Sequence, residues 1–222
     1  MSEKENFGMT PDGYGADIPV ALSEEQVHAV YALVDEAVAG ELKRLRAEEG
    51  CIPSCKSGCC HCCRYHIMTD TAEARTLALF VRREFSAEQI KALRMRTHQW
   101  HEWDNSRPGR PAAVVAEQTD LSGYRQCCPL LVDGTCSAYS VRPIVCRVHY
   151  VSSPASFCEG VNNPDSIEEA PLVLKAIVEA AGLFSMVIRA QVEETGSRFS
   201  RSSLLLPQGL AIEMGWAFAL SP

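Results

Sequence analysis

The sequence predicts a mainly α fold, with helices arranged around two irregular cysteine-rich loops. Two observations carry that expectation. Apolar residues recur at helical spacing in four stretches, three of them opened by a serine or aspartate cap. Glycine and proline punctuate the segments between, and the cysteines gather there. Six of the eleven lie within Cys51–Cys63, and the others are Cys127, Cys128, Cys136, Cys146 and Cys158.

Residues 1–21 show no period and read as a flexible N-terminal tail; residues 22–222 read as one domain. Ser23 and Gln26 have the spacing of a capping box. Val27, Val30, Val34, Val38, Leu42 and Leu45 then form one face of a helix that Gly50 closes. Gly40, inside that helix, costs about 1 kcal/mol relative to Ala and marks close packing or a slight bend. Pro53, Ser57 and Gly58 keep the first cysteine segment irregular, which lets backbone N–H groups turn toward sulfur. Asp70 with Glu73 caps a second helix, whose buried stripe is Ala74, Leu77, Ala78 and Val81. Ser86 and Gln89 open a third, through Ile90 and Leu93 to roughly Trp100. Arg82, Arg83, Lys91, Arg94 and Arg96 make the second and third helices locally basic and read as a solvated face.

Residues 104–112 read as a connecting loop around Arg107–Pro111, followed by a short apolar piece, Ala112 to Ala116. Asp133-Gly134 suits a tight turn that carries Cys136 back toward Cys128. A turn at Asn162–Asp165 precedes a helical pattern over 166–195 through Leu172, Ile177, Ala181, Phe184, Ile188 and Val192, closed by Gly196. Leu204 to Leu220 packs on the core as a short helix or an extended piece. The cysteine core thus spans 51–158, and a C-terminal helical part spans 164–222.

At 222 residues and 46 % hydrophobic content the chain can bury a sizeable core. It has no apolar run of membrane-spanning length, and Met-Ser-Glu-Lys-Glu-Asn lacks the order of a secretory signal. The expected setting is the cytoplasm, where thiols stay reduced. A dense cysteine framework there reads as metal-binding or catalytic rather than as disulfides, and an odd count rules out complete internal pairing. A net charge of −7 argues against nucleic acid. The expected partner is an unidentified protein or small molecule.

The spacing Cys55-x3-Cys59-x2-Cys62-Cys63 lets neighbouring thiolates converge without long loop closure. The second segment runs Cys128-Pro-Leu-Leu, Gly134-Thr-Cys136, Tyr139, Arg142-Pro143, Cys146-Arg147 and Cys158. Together these residues resemble the YkgJ-type cysteine-cluster family, described as zinc- or iron–sulfur-chelating and often labelled iron–sulfur oxidoreductases. The resemblance covers about residues 51 to 158 and implies a metal ligand set of Cys55, Cys59, Cys62, Cys63, Cys128, Cys136, Cys146 and Cys158. Cys51, Cys60 and Cys127 lie outside the pattern. Many relatives have an aromatic–proline pair near the Val148-His149-Tyr150 stretch. His149 is therefore a stand-in ligand or, the commoner case, a core or surface histidine.

The resemblance leaves the metal open. Eight thiolates could make two four-cysteine zinc sites, or hold one 4Fe-4S cluster with four cysteines beside it. A tetrahedral zinc holds its sulfurs only about 3.8 Å apart, and the adjacent Cys62 and Cys63 point to different sides of the backbone. A cluster takes thiolates at separate irons, so spacing and softness favour an iron–sulfur cluster, with zinc as the alternative. Arg142 and Arg147 are expected to offset the negative charge of such a centre, Arg147 more than Arg142. Three function classes follow: a redox or group-transfer enzyme, a structural zinc protein, and a metal-handling protein. Flagellin lysine methylases share a similar cysteine motif, which adds methyl transfer to the first class, although the chain has no separate glycine-rich motif for a methyl donor. His61 and His66 also make a Cys/His nucleophile conceivable, but six cysteines in thirteen residues exceed what a nucleophile needs.

Overall fold

Helix α1, Glu24–Glu49, forms the spine against which three of the other helices pack. Its ends follow local chemistry. Gln26 N donates to Ser23 Oγ at 3.2 Å and Ser23 N to Gln26 Oε1 at 2.8 Å, so the capping box is formed. Gly50 takes φ 62°, where a side chain would be strained, and Cys51 N closes onto the Leu45 carbonyl at 3.1 Å. The chain thus enters the first cysteine segment at a fixed angle. A computed structural model describes residues 22–56, 58–106, 126–161, 165–167, 169–194 and 204–217. The expected tail, the apolar piece 112–116, most of the 104–112 loop, Gly196 and most of the 162–165 turn lie outside these residues.

The mainly α expectation holds, with seven α-helices among the described residues. After α1 come a 3-10 turn at His61–Arg64, strand β1 (Met68–Thr69), α2 (Thr71–Glu84) and α3 (Ala87–Ser106). Then follow β2 (Leu131–Val132), β3 (Thr135–Cys136), a 3-10 turn at Tyr139–Val141, α4 (Ile144–Val148) and α5 (Ala155–Gly160). Helix α6 (Lys175–Glu194), β4 (Leu204–Leu205) and α7 (Leu206–Glu213) complete the order. Strand β1 pairs antiparallel with β4, Met68 opposite Leu205. Strands β2 and β3 form the expected hairpin, Leu131 opposite Cys136, with Asp133 and Gly134 both at positive φ.

Two apolar cores flank α2. In the first, Val27, Tyr31, Val34 and Val38 of α1 meet Ile144 and Val148 of α4 and Ile177, Ala181 and Ile188 of α6. In the second, Leu77, Ala78 and Val81 of α2 meet Leu93 of α3, Leu206 and Leu210 of α7, and Cys128, Leu130, Ala138 and Val141. Each fully buried leucine stabilises by about 1.5–3 kcal/mol, so these contacts fix the helices that carry the cysteine loops. Helix α7 comes so close to α2 that a Cβ at Gly209 would lie 3.0 Å from Ala74 Cβ.

Four expectations need correction. Gly40 has nothing within 4 Å of an added Cβ, so close packing is not its role. Helix α3 continues past Trp100 to Ser106, because His101 and Asp104 are buried against α7, where Pro207 O and Gln208 Nε2 meet them at 3.4 Å. Leu172 is 63 % exposed and lies ahead of α6, in an extended segment whose Val173 bridges Val151. Two basic residues are anchors rather than free surface charges: Arg96 Nε donates to Pro129 O at 2.7 Å, and Arg82 donates to Glu213 O at 2.5 Å.

Candidate metal centre

Backbone hydrogen bonds bring the two cysteine segments together. Cys128 N donates to the Cys63 carbonyl at 2.7 Å, joining residues that are far apart in the chain. The 3-10 turn places Cys62 and Cys63 side by side, with Cys63 N bonded to Cys60 O at 3.0 Å and Tyr65 N to Cys62 O at 3.1 Å. Upstream, Ser54 N donates to Val151 O at 2.9 Å and Cys59 N to Lys56 O at 3.0 Å, so the loop doubles back beside the stretch that follows α4. All eleven cysteines are free thiols.

The eight expected ligands fall into two neighbourhoods. Cys128 belongs to the second apolar core, and Cys63, Cys136 and Cys146 pack against it. Cys62 joins them by a thiol hydrogen bond to Cys63, so the 3-10 turn brings together two side chains expected to point apart. The Cys62 charge acts on Cys128, Cys136 and Cys146. Cys55, Cys59 and Cys158 lie outside that core and act on one another, and Cys62 acts on Cys55 and Cys158 as well, so it links the two groups. Among the described residues, no three Cys, His, Asp or Glu side chains close on a single point as a metal would require. Of the other cysteines, Cys51 packs on the first core, Cys127 adjoins Cys128, and Cys60 precedes the 3-10 turn.

Burial dominates the electrostatics. It pushes the Cys128 thiol up to about 12 and raises Cys146 well above an ordinary thiol. It also raises Cys55, Cys136 and Cys158. The Cys62–Cys63 hydrogen bond splits that pair, lowering Cys62 and raising Cys63, and the Arg142 guanidinium lowers Cys62 further. Soft donors at this density, kept protonated by a low-dielectric setting, fit a bound cation, which would draw off their protons.

The two arginines have different places. Arg142 Nε is buried without a hydrogen-bond partner, its guanidinium lies 4.0 Å over the Tyr139 ring, and its charge favours thiolate at Cys62 and Cys136. Arg147 is turned toward α1. It donates to Asp35 Oδ2 at 2.6 Å, to Arg142 O at 2.8 Å and to Ser140 O, and it stacks 4.1 Å over Tyr31. It clamps the loop to the spine, while Arg142 faces the thiols.

Sequence reasoning missed two residues. Tyr65 donates to Cys158 O at 3.0 Å and sets its ring edge-on to His149 at 5.4 Å. An aromatic two places after Cys63 was the available signal. Glu73, expected only as a capping partner, is buried; its Oε1 accepts from Ile144 N at 2.7 Å and from the Tyr31 hydroxyl at 3.3 Å. Burial, and then the charge of Asp70, push its carboxyl up to about 8. No signal in the sequence distinguished this glutamate from the exposed ones. Comparison with protein-family models, curated proteins and solved structures found no match. No helix among the described residues is long and apolar enough to cross a membrane.

Proposed function

We propose that this chain is a metal-binding protein that holds an iron–sulfur cluster between its two cysteine segments and uses it in redox or group-transfer chemistry. The observation that carries the reading is the Cys128–Cys63 backbone bond, which sets thiols from both segments around one half-buried place beside Arg142. The ligand candidates are Cys55, Cys59, Cys62, Cys63, Cys128, Cys136, Cys146 and Cys158. A cluster bound there supplies one-electron transfer. The chain's own residues hold thiolate charge near the Arg142 cation and exclude water through the second apolar core. Arg147 and Arg96 fix the loops that carry the ligands.

Kinship with the YkgJ-type cysteine-cluster family and a cytoplasmic setting belong to the same proposal, since both accord with reduced, clustered thiols. The test is anaerobic purification with iron, sulfide and zinc analysis. Brown protein with iron and sulfide supports the reading. Colourless protein carrying only zinc replaces it with the zinc alternative, a structural or metal-handling role.

A further inference from the structure

We propose that the cavity between α1 and the 3-10 turn at Tyr139–Val141 binds a small organic carboxylate through Arg142. The inference rests on the metal-binding reading above and deepens it, naming the class of molecule held beside the thiols.

The cavity measures about 420 Å³, within the range of small-molecule sites. Ala39 and Leu42 of α1 line it together with Tyr139 and Tyr150, so much of its surface is aliphatic or aromatic. It is reachable from solvent, since Tyr139 is 58 % exposed and Ala39 lies on the exposed side of α1.

Three charged residues face this space: Asp35, Arg147 and Arg142. Two of them are committed. Arg147 gives its three guanidinium nitrogens to Asp35 Oδ2 at 2.6 Å, to Arg142 O at 2.8 Å and to Ser140 O, and Asp35 cancels its charge. Arg142 is left over. Its Nε is buried and makes no hydrogen bond, and its guanidinium lies 4.0 Å over the Tyr139 ring. Among the described residues no carboxylate pairs with it, although the chain carries a net charge of −7. Leaving a buried donor without an acceptor is costly, and a planar guanidinium takes a carboxylate through parallel N–H bonds. One uncancelled positive charge beside apolar walls favours a singly charged carboxylate with an apolar body over a phosphate.

Arg142 also ties the cavity to the thiols, because its charge favours thiolate at Cys62 and Cys136. A carboxylate held there sits one side chain away from the proposed cluster.

The experiment uses the full chain purified anaerobically, with metal counted in every sample and binding followed by calorimetry. The probes are benzoate, its neutral amide benzamide, and phenyl phosphate. Benzoate is expected to bind about tenfold to a hundredfold more tightly than benzamide, as one charge-assisted contact provides, and more tightly than phenyl phosphate. Arg142→Gln should erase the preference and Arg142→Lys keep part of it. Ala39→Phe, which fills the cavity from the surface of α1, should abolish benzoate binding with metal content unchanged. Saturating benzoate should lower the reduction potential of the cluster, because it offsets the Arg142 charge. Metal-loaded protein that ignores benzoate, binds benzamide equally well or prefers phenyl phosphate overturns the proposal alone. So does full benzoate affinity in Ala39→Phe, and an unmoved potential breaks the link to the cluster. Protein that binds benzoate as expected but carries no metal keeps the cavity's role and overturns the underlying reading.

Discussion

Replacing Glu73 by glutamine should stabilise the protein at neutral pH. Both donors that reach this side chain, Ile144 N at 2.7 Å and the Tyr31 hydroxyl at 3.3 Å, bond to Oε1, and an amide oxygen can accept both. The folded carboxyl protonates at about 8, against 4.5 for a free glutamate side chain, chiefly because it is buried. The fold therefore holds a proton that the unfolded chain releases, and stability falls as pH rises from about 4.5 to about 8 and is flat above. At pH 7, about 1.4 kcal/mol per pH unit makes this penalty about 3 kcal/mol. Glu73→Gln removes it. In urea unfolding with bound metal held constant, the variant should match wild type near pH 4.5 and exceed it by up to about 3 kcal/mol at pH 7. Glu73→Ala, which leaves two buried donors without an acceptor, should lose about 2–5 kcal/mol. Equal pH slopes in wild type and Glu73→Gln, or equal losses in the two variants, would refute the buried neutral carboxyl.

Three further outcomes are expected. Arg147→Ala should cost about 2–4 kcal/mol in thermal or urea unfolding, because it loses a cation–π contact and leaves two carbonyls without their donor, yet metal affinity should hold. Arg142→Ala should do the reverse, and identical behaviour of the two variants would erase the distinction drawn between them. Gly209→Ala should destabilise by about 1–3 kcal/mol, since its Cβ would lie 3.0 Å from Ala74 Cβ; an unchanged melting temperature would show that α2 and α7 part easily. Burial raises Cys55, Cys128, Cys136, Cys146 and Cys158, so metal binding must release their protons. Apparent zinc affinity should then rise about tenfold per pH unit for each proton released, and a competition assay showing no pH dependence would contradict the thiol ligands.

Local chemistry made much of the fold legible in the sequence. The caps at Ser23, Asp70 and Ser86 and the stop at Gly50 depend on residues three to six positions apart, and each forms as the spacing predicts. The Asp133-Gly134 turn is equally local. What escaped depends on distant partners. The last turn of α3 buries His101 and Asp104 only because α7 meets it, and Glu73 points inward only because Tyr31 and Ile144 are there. The same holds for the arginines. Arg147 adjoins Cys146 in the chain, but Asp35 and Tyr31 draw it toward α1, and it is Arg142 that acts on the thiols. The spacing of the cysteines could name ligand candidates, but that Cys63, Cys128, Cys136 and Cys146 gather on one apolar core follows from the packing of elements distant in the chain.

The central claim, that two cysteine segments make a metal-binding place, is tested most directly by metal and sulfide analysis of the full chain purified under strict anaerobiosis. The account predicts brown protein with broad violet absorbance, carrying iron and sulfide. Colourless protein free of iron and zinc, with all eleven cysteines titrating as thiols, would contradict it.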